Sequence, residues 1–218
     1  MLLLAIDTSG KDGSIALARC LADDCQIIGL APLDGGAFSA QLIPQIAALL
    51  TTHSLTKLDI DAFAATSGPG SFTGLRVGLA AVKALAEVLH KPIAAVSLLE
   101  ALAASSTEKY PLAAMDAGRK EIYVRQHGPA GPSESLLSRE EFLAAARGQL
   151  VITPDKSISD LASAAGLKVE EVSRPRSDAI ARLGWKKLQS GQTVSPEALD
   201  ANYLRRSDQI FAKPSSGN

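Results

Sequence analysis

A chain of 218 residues with 46% hydrophobic content is long enough for one large domain or two small lobes with filled cores. Basic residues number 22 against 23 acidic ones, the net charge is -1, and 4% of residues are aromatic. This excludes a bulk field for nucleic acid or anionic membrane, and also a surface of stacking platforms for single-stranded bases.

The opening residues 1–6 lack a basic flank and form too short an apolar run for a signal peptide. No stretch approaches the ~20 apolar residues of a membrane span, so a cytoplasmic protein without membrane contact is expected. Residues 2–6 read as a buried strand, ended by Asp7, Thr8 and Ser9. A glycine-bearing turn leads into strands over 14–20 and 26–30, completing a three-strand meander. Cys20 and Cys25 fall near the facing ends of that hairpin. A lone pair in a well-cored chain is no disulfide framework, and free thiols are expected. After the loop at Asp34, Gly35 and Gly36, an amphipathic helix starts at Ser39 with Leu42, Ile43, Ile46, Leu49 and Leu50 on one face.

A strand over 62–66 runs into the most specific stretch of the chain, Ser67-Gly68-Pro69-Gly70-Ser71-Phe72-Thr73-Gly74-Leu75-Arg76-Val77-Gly78. Pro69 keeps Gly68 out of the helical region, and Gly68 and Gly70 allow the turn. Ser71 or Thr73 then caps a helix carrying Leu75, Leu79, Val82, Leu85, Ala86 and Leu89, which closes before Lys91 and Pro92. Gly70, Gly74 and Gly78 share one face of it. An interior glycine costs roughly 1 kcal/mol against alanine, so the stripe needs a reason. Either exposed N–H groups cradle phosphate, or a second backbone comes close, from this molecule or a partner. No lysine follows as in a Walker A loop, and the GxGxxG spacing is absent.

A strand over 93–96 and a capping box from Ser97 to Glu100, opening a helix through Ala104, complete the first half. Three meandering strands followed by parallel strands with crossover helices resemble the ribonuclease H-like lobe of actin, sugar kinases and Hsp70. After the polar link 105–109 the pattern returns. A strand over 112–115 ends at Asp116-Ala117-Gly118-Arg119, which parallels the turn after the first strand, and 122–127 answers it. A duplicated but abbreviated lobe follows, with a loop over 128–132, a helix over 139–147, a strand over 150–153 and a short helix over 161–165, and residues 168–172 end it. A further helix over 178–189 carries Trp185, and from Thr193 the chain reads as loop and tail, with 213–218 disordered. The expected organisation is an α/β, two-lobed fold: a first lobe over 1–106, an abbreviated second lobe over 107–175, and a terminal helix and tail over 176–218.

Asp7 and Asp116 sit at matching strand ends. With Thr8, Ser9, Gly68 and Gly70 they could border a nucleotide cleft with one carboxylate from each lobe, while turn capping is the plainer role for an aspartate. His53, His90 and His127 are isolated, so no metal site assembles from local spacing. Ser14, Ser67 and Ser71 have no base in view and read as turn and cap residues, and Glu100 as a capping partner. Arg76 could meet phosphate or a partner. Arg174, Arg176, Arg182, Lys186, Lys187, Arg205 and Arg206 make the C-terminal part locally basic, a solvated face or a modest RNA contact.

The motifs Leu4-Ala5-Ile6-Asp7-Thr8-Ser9, Ser14-Ile15-Ala16-Leu17, the glycine stretch from Gly68 to Gly78, and Asp116-Ala117-Gly118-Arg119-Lys120-Glu121-Ile122-Tyr123 resemble the TsaB (YeaZ) family over nearly the whole chain. The resemblance implies the actin, Hsp70 and sugar-kinase type of fold. It also implies a non-catalytic role in making N6-threonylcarbamoyladenosine at position 37 of tRNAs that read codons beginning with A. The implied partners are TsaD and, through it, TsaE, with a homodimer when alone, tRNA met indirectly, and ATP and metal held by partner subunits rather than by this chain. It further implies that helices over about 39–51 and 71–89 form the interface, through Ser39, Leu42, Ile46, Ser71, Gly74, Leu75, Arg76, Gly78, Leu79 and Val82. Catalytic relatives carry a metal-binding His-x-x-x-His where this chain has Ser97 and Ala101, and many relatives read His-Ser-Glu where it has Phe38-Ser39-Ala40. The alternative function is an active nucleotide-dependent phosphotransferase or M22-type metalloprotease.

Overall fold

The first strand organises the first lobe. β1 (Leu2–Asp7) pairs antiparallel with β2 (Gly13–Leu21) on one side and parallel with β4 (Ala62–Gly68) on the other, while β3 (Asp24–Leu33) and β5 (Ile93–Ser97) form the edges, in the order β3-β2-β1-β4-β5. The computed structural model describes residues 1–204. Side chains alternate across the pleat, and the two faces differ in size. Leu2, Leu4, Ile6, Ile15, Leu17 and Phe63 lie under the helices α1 (Phe38–Thr52) and α2 (Phe72–Leu89). Leu3, Ala5, Ala16, Ala18, Ala62 and Ala64 line the opposite face.

The second lobe repeats the plan. β6 (Leu112–Gly118), β7 (Glu121–Gly128) and β8 (Gly131–Ser138) form the meander, and β9 (Leu150–Thr153) and β10 (Lys168–Glu171) add in parallel, in the order β10-β9-β6-β7-β8. Read from the other end, this is the order of the first sheet. Two helices, α4 (Arg139–Ala145) and α5 (Lys156–Ala164), bury Phe142, Ile158 and Ala162 against it.

The last helix of each half crosses over. α3 (Leu98–Ala103) leaves the first sheet and packs on β6 and β7, whereas α6 (Ser177–Gln189) leaves the second and lies across β1, β2, β4 and β5. The alanine-rich face admits α6 closely: a Cβ on Gly184 would fall on the Ala64 methyl. The terminal helix is thus the cover of the first sheet rather than an appendage.

Several expectations change. The stretch 128–132 is not all loop, because Gly131 and Pro132 already belong to β8, whose polar sequence hides a strand held by its ladder to β7. The helix expected over 161–165 begins at Lys156. Only half of the capping box at Ser97 forms: its hydroxyl accepts from Glu100 N–H at 3.3 Å, but Glu100 pairs with Lys187 at 2.9 Å. Complete reciprocal boxes stand at Thr56 with Asp59, opening a 3-10 turn over Lys57–Asp59, and at Ser138 with Glu141. The segment from Thr193 to Leu204 has no regular structure, yet it is anchored. Val194 bridges Ile93, Leu199 is buried, and Asn202 N–H donates to the Ser67 carbonyl at 2.7 Å. The tail expectation for 213–218, and Arg205 and Arg206, lie outside the described residues.

Candidate functional site: the interlobe cleft and the outer helices

The turn after β1 and the start of α2 are sewn together. Asp7, only 4% exposed, accepts from Ser9 N–H at 3.0 Å and from the Ser9 hydroxyl at 2.6 Å. The Ser9 carbonyl takes the Ser71 N–H at 2.7 Å, and the Thr8 hydroxyl donates to the Gly74 carbonyl at 2.8 Å. Ser71 is the N-cap, accepting from Gly74 N–H at 3.2 Å. The glycine stripe serves this junction. A Cβ on Gly70 would meet the Ser9 carbonyl, one on Gly74 the Thr8 carbonyl, and one on Gly78 the Thr8 hydroxyl. Gly68 has φ +124°, a conformation side chains resist, and lies against the Asn202 carbonyl.

The close contact is therefore internal, and the interface expected from the sequence needs correction. Gly74 and Gly78 are filled from within the lobe, and Leu42, Ile46, Leu75, Leu79 and Val82 are core residues, each at most 5% exposed. The apolar stripes of both helices point into the sheet because that is where an amphipathic helix finds its cover. Phe38 also turns inward, beneath Gly13. Ser39 and Arg76 remain exposed. Arg76 is not free: it stacks 3.7 Å over the Phe72 ring and donates to the Tyr203 hydroxyl at 3.2 Å.

Between the lobes lies a cavity of about 530 Å³, lined by Ser9, Lys11, Gly70 and Ser71 from one side, Asp116 and Tyr123 from the other, and Arg174, Asn202 and Tyr203. The two aspartates do not converge on it. Asp116 lines the cleft and accepts from Gly118 N–H at 2.9 Å, whereas Asp7 accepts from Ser9 and borders an adjoining hollow that shares Gly10, Lys11 and Arg174 with the cleft. The two hydrogen bonds that Asp7 accepts from Ser9 are those of a turn cap. Thr8 and Gly68 are likewise engaged inside the structure.

Glu134, which belongs to no motif of the sequence, ties the lobes together. One oxygen accepts from the Ser97 hydroxyl at 2.6 Å and from Arg125 at 2.9 Å, and the other accepts from the Asn202 amide at 2.7 Å. It joins the first lobe, the second lobe and the terminal segment through one carboxylate, 9% exposed in its side chain. The signal was its cross-strand place opposite Arg125, visible only once β8 is paired with β7.

The positions matching the metal-binding pair do not fit a metal. The Ser97 hydroxyl is committed to Glu134, and Ala101 is a buried methyl. Among the described residues no three His, Cys, Asp or Glu side chains gather for an ion, and no helix is long and apolar enough to cross a membrane. His53 and His90 cap the ends of α1 and α2, and His127 stacks on Tyr110 with ring centroids 4.6 Å apart. Of the basic C-terminal residues, Arg182 pairs with Asp178 and Lys187 with Glu100.

Duplicated sheets of this order, clasped around a cleft, define a two-lobed protein of the actin, Hsp70 and sugar-kinase class. A family model described as "TsaD: tRNA N6-adenosine threonylcarbamoyltransferase" matches residues 33–195. An uncharacterised protein of Mycobacterium tuberculosis is 30% identical, over 97% of this chain and 94% of its own. The Escherichia coli protein named tRNA threonylcarbamoyladenosine biosynthesis protein TsaB is 29% identical over 94% of this chain and 95% of its own. The solved structure of YeaZ from Pseudomonas aeruginosa superposes with a TM-score of 0.72 at 24% identity, covering 92% of this chain and all of that one, and so supports the fold. The chain belongs to the TsaD-related TsaB (YeaZ) family.

Proposed function

We propose that this chain is a non-catalytic subunit that docks onto a TsaD-type partner, with TsaE joining that assembly, through the outward faces of α1 and α2. The role in threonylcarbamoyladenosine biosynthesis comes with the family. The observation that carries the docking proposal is the pair of small, weakly charged ridges turned away from the sheet. Ser39, Ile43 and Ala47 recur every four residues on α1, and Arg76, Ala80, Ala84 and Val88 do so on α2. Ile43 is 50% and Val88 71% exposed, and alanines beside them let a partner helix approach closely. Alone, the chain uses the same face to form a homodimer, and tRNA is met through the assembled complex. ATP and metal belong to the partners, because the carboxylates do not converge on the cleft and the metal-pair positions hold serine and alanine.

The test is complex formation with the TsaD of the same organism. Changing Ile43→Asp together with Ala84→Arg is expected to weaken the complex at least about tenfold by placing unpaired charges at the contact. The unfolding midpoint should stay within about 0.5 kcal/mol, since both sites are exposed. Undiminished pairing on gel filtration would remove this face from the interface. Tight binding of ATP with magnesium by the purified chain in calorimetry would overturn the assignment of nucleotide to the partners.

A further inference from the structure

At the tip of the hairpin joining β2 to β3, Cys20 and Cys25 stand directly opposite one another in the ladder. Their sulfur atoms are 2.8 Å apart, inside ordinary van der Waals contact, and both are free thiols. Opposed residues of an antiparallel pair have Cα atoms about 4.5–5.5 Å apart, within the range a disulfide spans, so bridging them requires little backbone movement. The two thiols differ in access: Cys20 is 2% exposed, whereas Cys25 is half-buried. Burial pushes the Cys20 thiol up to about 12 and raises that of Cys25 as well, with the hydrogen bond between the two thiols and then Arg182 working against the latter rise.

We propose that Cys20 and Cys25 are a reversible oxidation site, closed to an intramolecular disulfide by low-molecular-weight disulfides such as oxidised glutathione. Cys25, the accessible thiol, gives up its proton and attacks one sulfur of the oxidised glutathione. A mixed disulfide forms, and the first glutathione leaves as a thiolate that takes up a proton. Cys20 then loses its proton, attacks the Cys25 sulfur and expels the second glutathione, which is protonated in turn. Two protein thiols are oxidised to one disulfide, and one oxidised glutathione is reduced to two thiols.

The bridge has a structural reader. The carbonyl of Ala22, inside the six-residue loop it would close, accepts from Trp185 Nε1 at 2.8 Å and Gln189 Nε2 at 2.6 Å. Oxidation therefore stiffens the support on which the far end of α6 rests, beside the only tryptophan of the chain.

The reduced full-length protein is incubated with mixtures of oxidised and reduced glutathione, and its mass, alkylatable thiols, tryptophan fluorescence and unfolding midpoint are followed. The expected product is lighter by two hydrogens and has no alkylatable thiol. Its fluorescence is altered, its midpoint is higher on the order of 5 °C, and dithiothreitol reverses all of these. Cys20→Ala should stop at a glutathione adduct on Cys25. A wild-type chain that keeps both thiols in excess oxidised glutathione, retains the adduct unresolved, or links to a second chain instead would overturn the proposal, whatever the variant does.

Discussion

Replacing Gly74 with alanine is expected to destabilise the isolated chain by about 2 kcal/mol, lowering its unfolding midpoint on the order of 6 °C. In an unhindered helix the same change would stabilise by roughly 1 kcal/mol. The sign reverses because the new methyl falls on the Thr8 carbonyl, a backbone atom at the end of β1 that cannot rotate away. At Gly78 the obstacle is the Thr8 hydroxyl, a side-chain atom. Thr8→Ala should therefore recover much of the loss from Gly78→Ala, with a coupling of about 1–2 kcal/mol, and little of the loss from Gly74→Ala. Thermal unfolding of the four single and double variants gives the answer. If Gly74→Ala and Gly78→Ala both melted like the parent, the stripe would not be filled from inside the lobe, and a partner would again be needed to explain it.

The largest single-residue loss outside the helices is expected at Glu134. Alanine there leaves Arg125, 16% exposed in its side chain, without its carboxylate, and removes the acceptor for Ser97 and Asn202. An ion pair this far buried costs about 3 kcal/mol when one partner is removed, a midpoint shift on the order of 10 °C. Glu134→Gln keeps the shape and one acceptor and should lose roughly half as much. Hydrogen exchange distinguishes a local from a global effect: the Asn202 N–H, bonded to the Ser67 carbonyl, should lose protection before the strands of either sheet. Equal melting of all three proteins would show that the clasp contributes nothing to joining the lobes.

Most elements were legible because their burial follows a period. β1, β4 and β9 are short apolar runs, and the helices α1 and α2 carry an apolar residue every three or four positions. The repeat was legible from the matched turns after β1 and β6. β8 was not, since Gly131, Pro132, Ser133, Glu134 and Ser135 carry no apolar alternation and only pairing with β7 makes them a strand. The segment 193–204 is the loop its sequence suggests, but its anchoring is not legible locally, because it comes from distant partners, Ile93, Ser67, Glu134 and Arg76. Periodicity identified Gly74 and Gly78 as one face of α2, although Gly70 falls before the N-cap Ser71, and it does not name the neighbour. Thr8 lies 66 residues from Gly74 along the chain, a distance no local pattern spans. The interface that the resemblance implied through Leu42 and Val82 fails on a different ground: an apolar face is first claimed by its own sheet.

The crossing of α3 and α6 bears on how the molecule comes into being. A ribosome that has delivered the first 106 residues has made a sheet whose alanine-lined side is still wet, because the helix that dries it ends at Gln189. Conversely, the helix α3 waits, already synthesised, for β6 and β7 to arrive beneath it. Cutting the chain at the link between the halves would leave α1 and α2 on the first sheet and α4 and α5 on the second, but strip the other face of each of its helix.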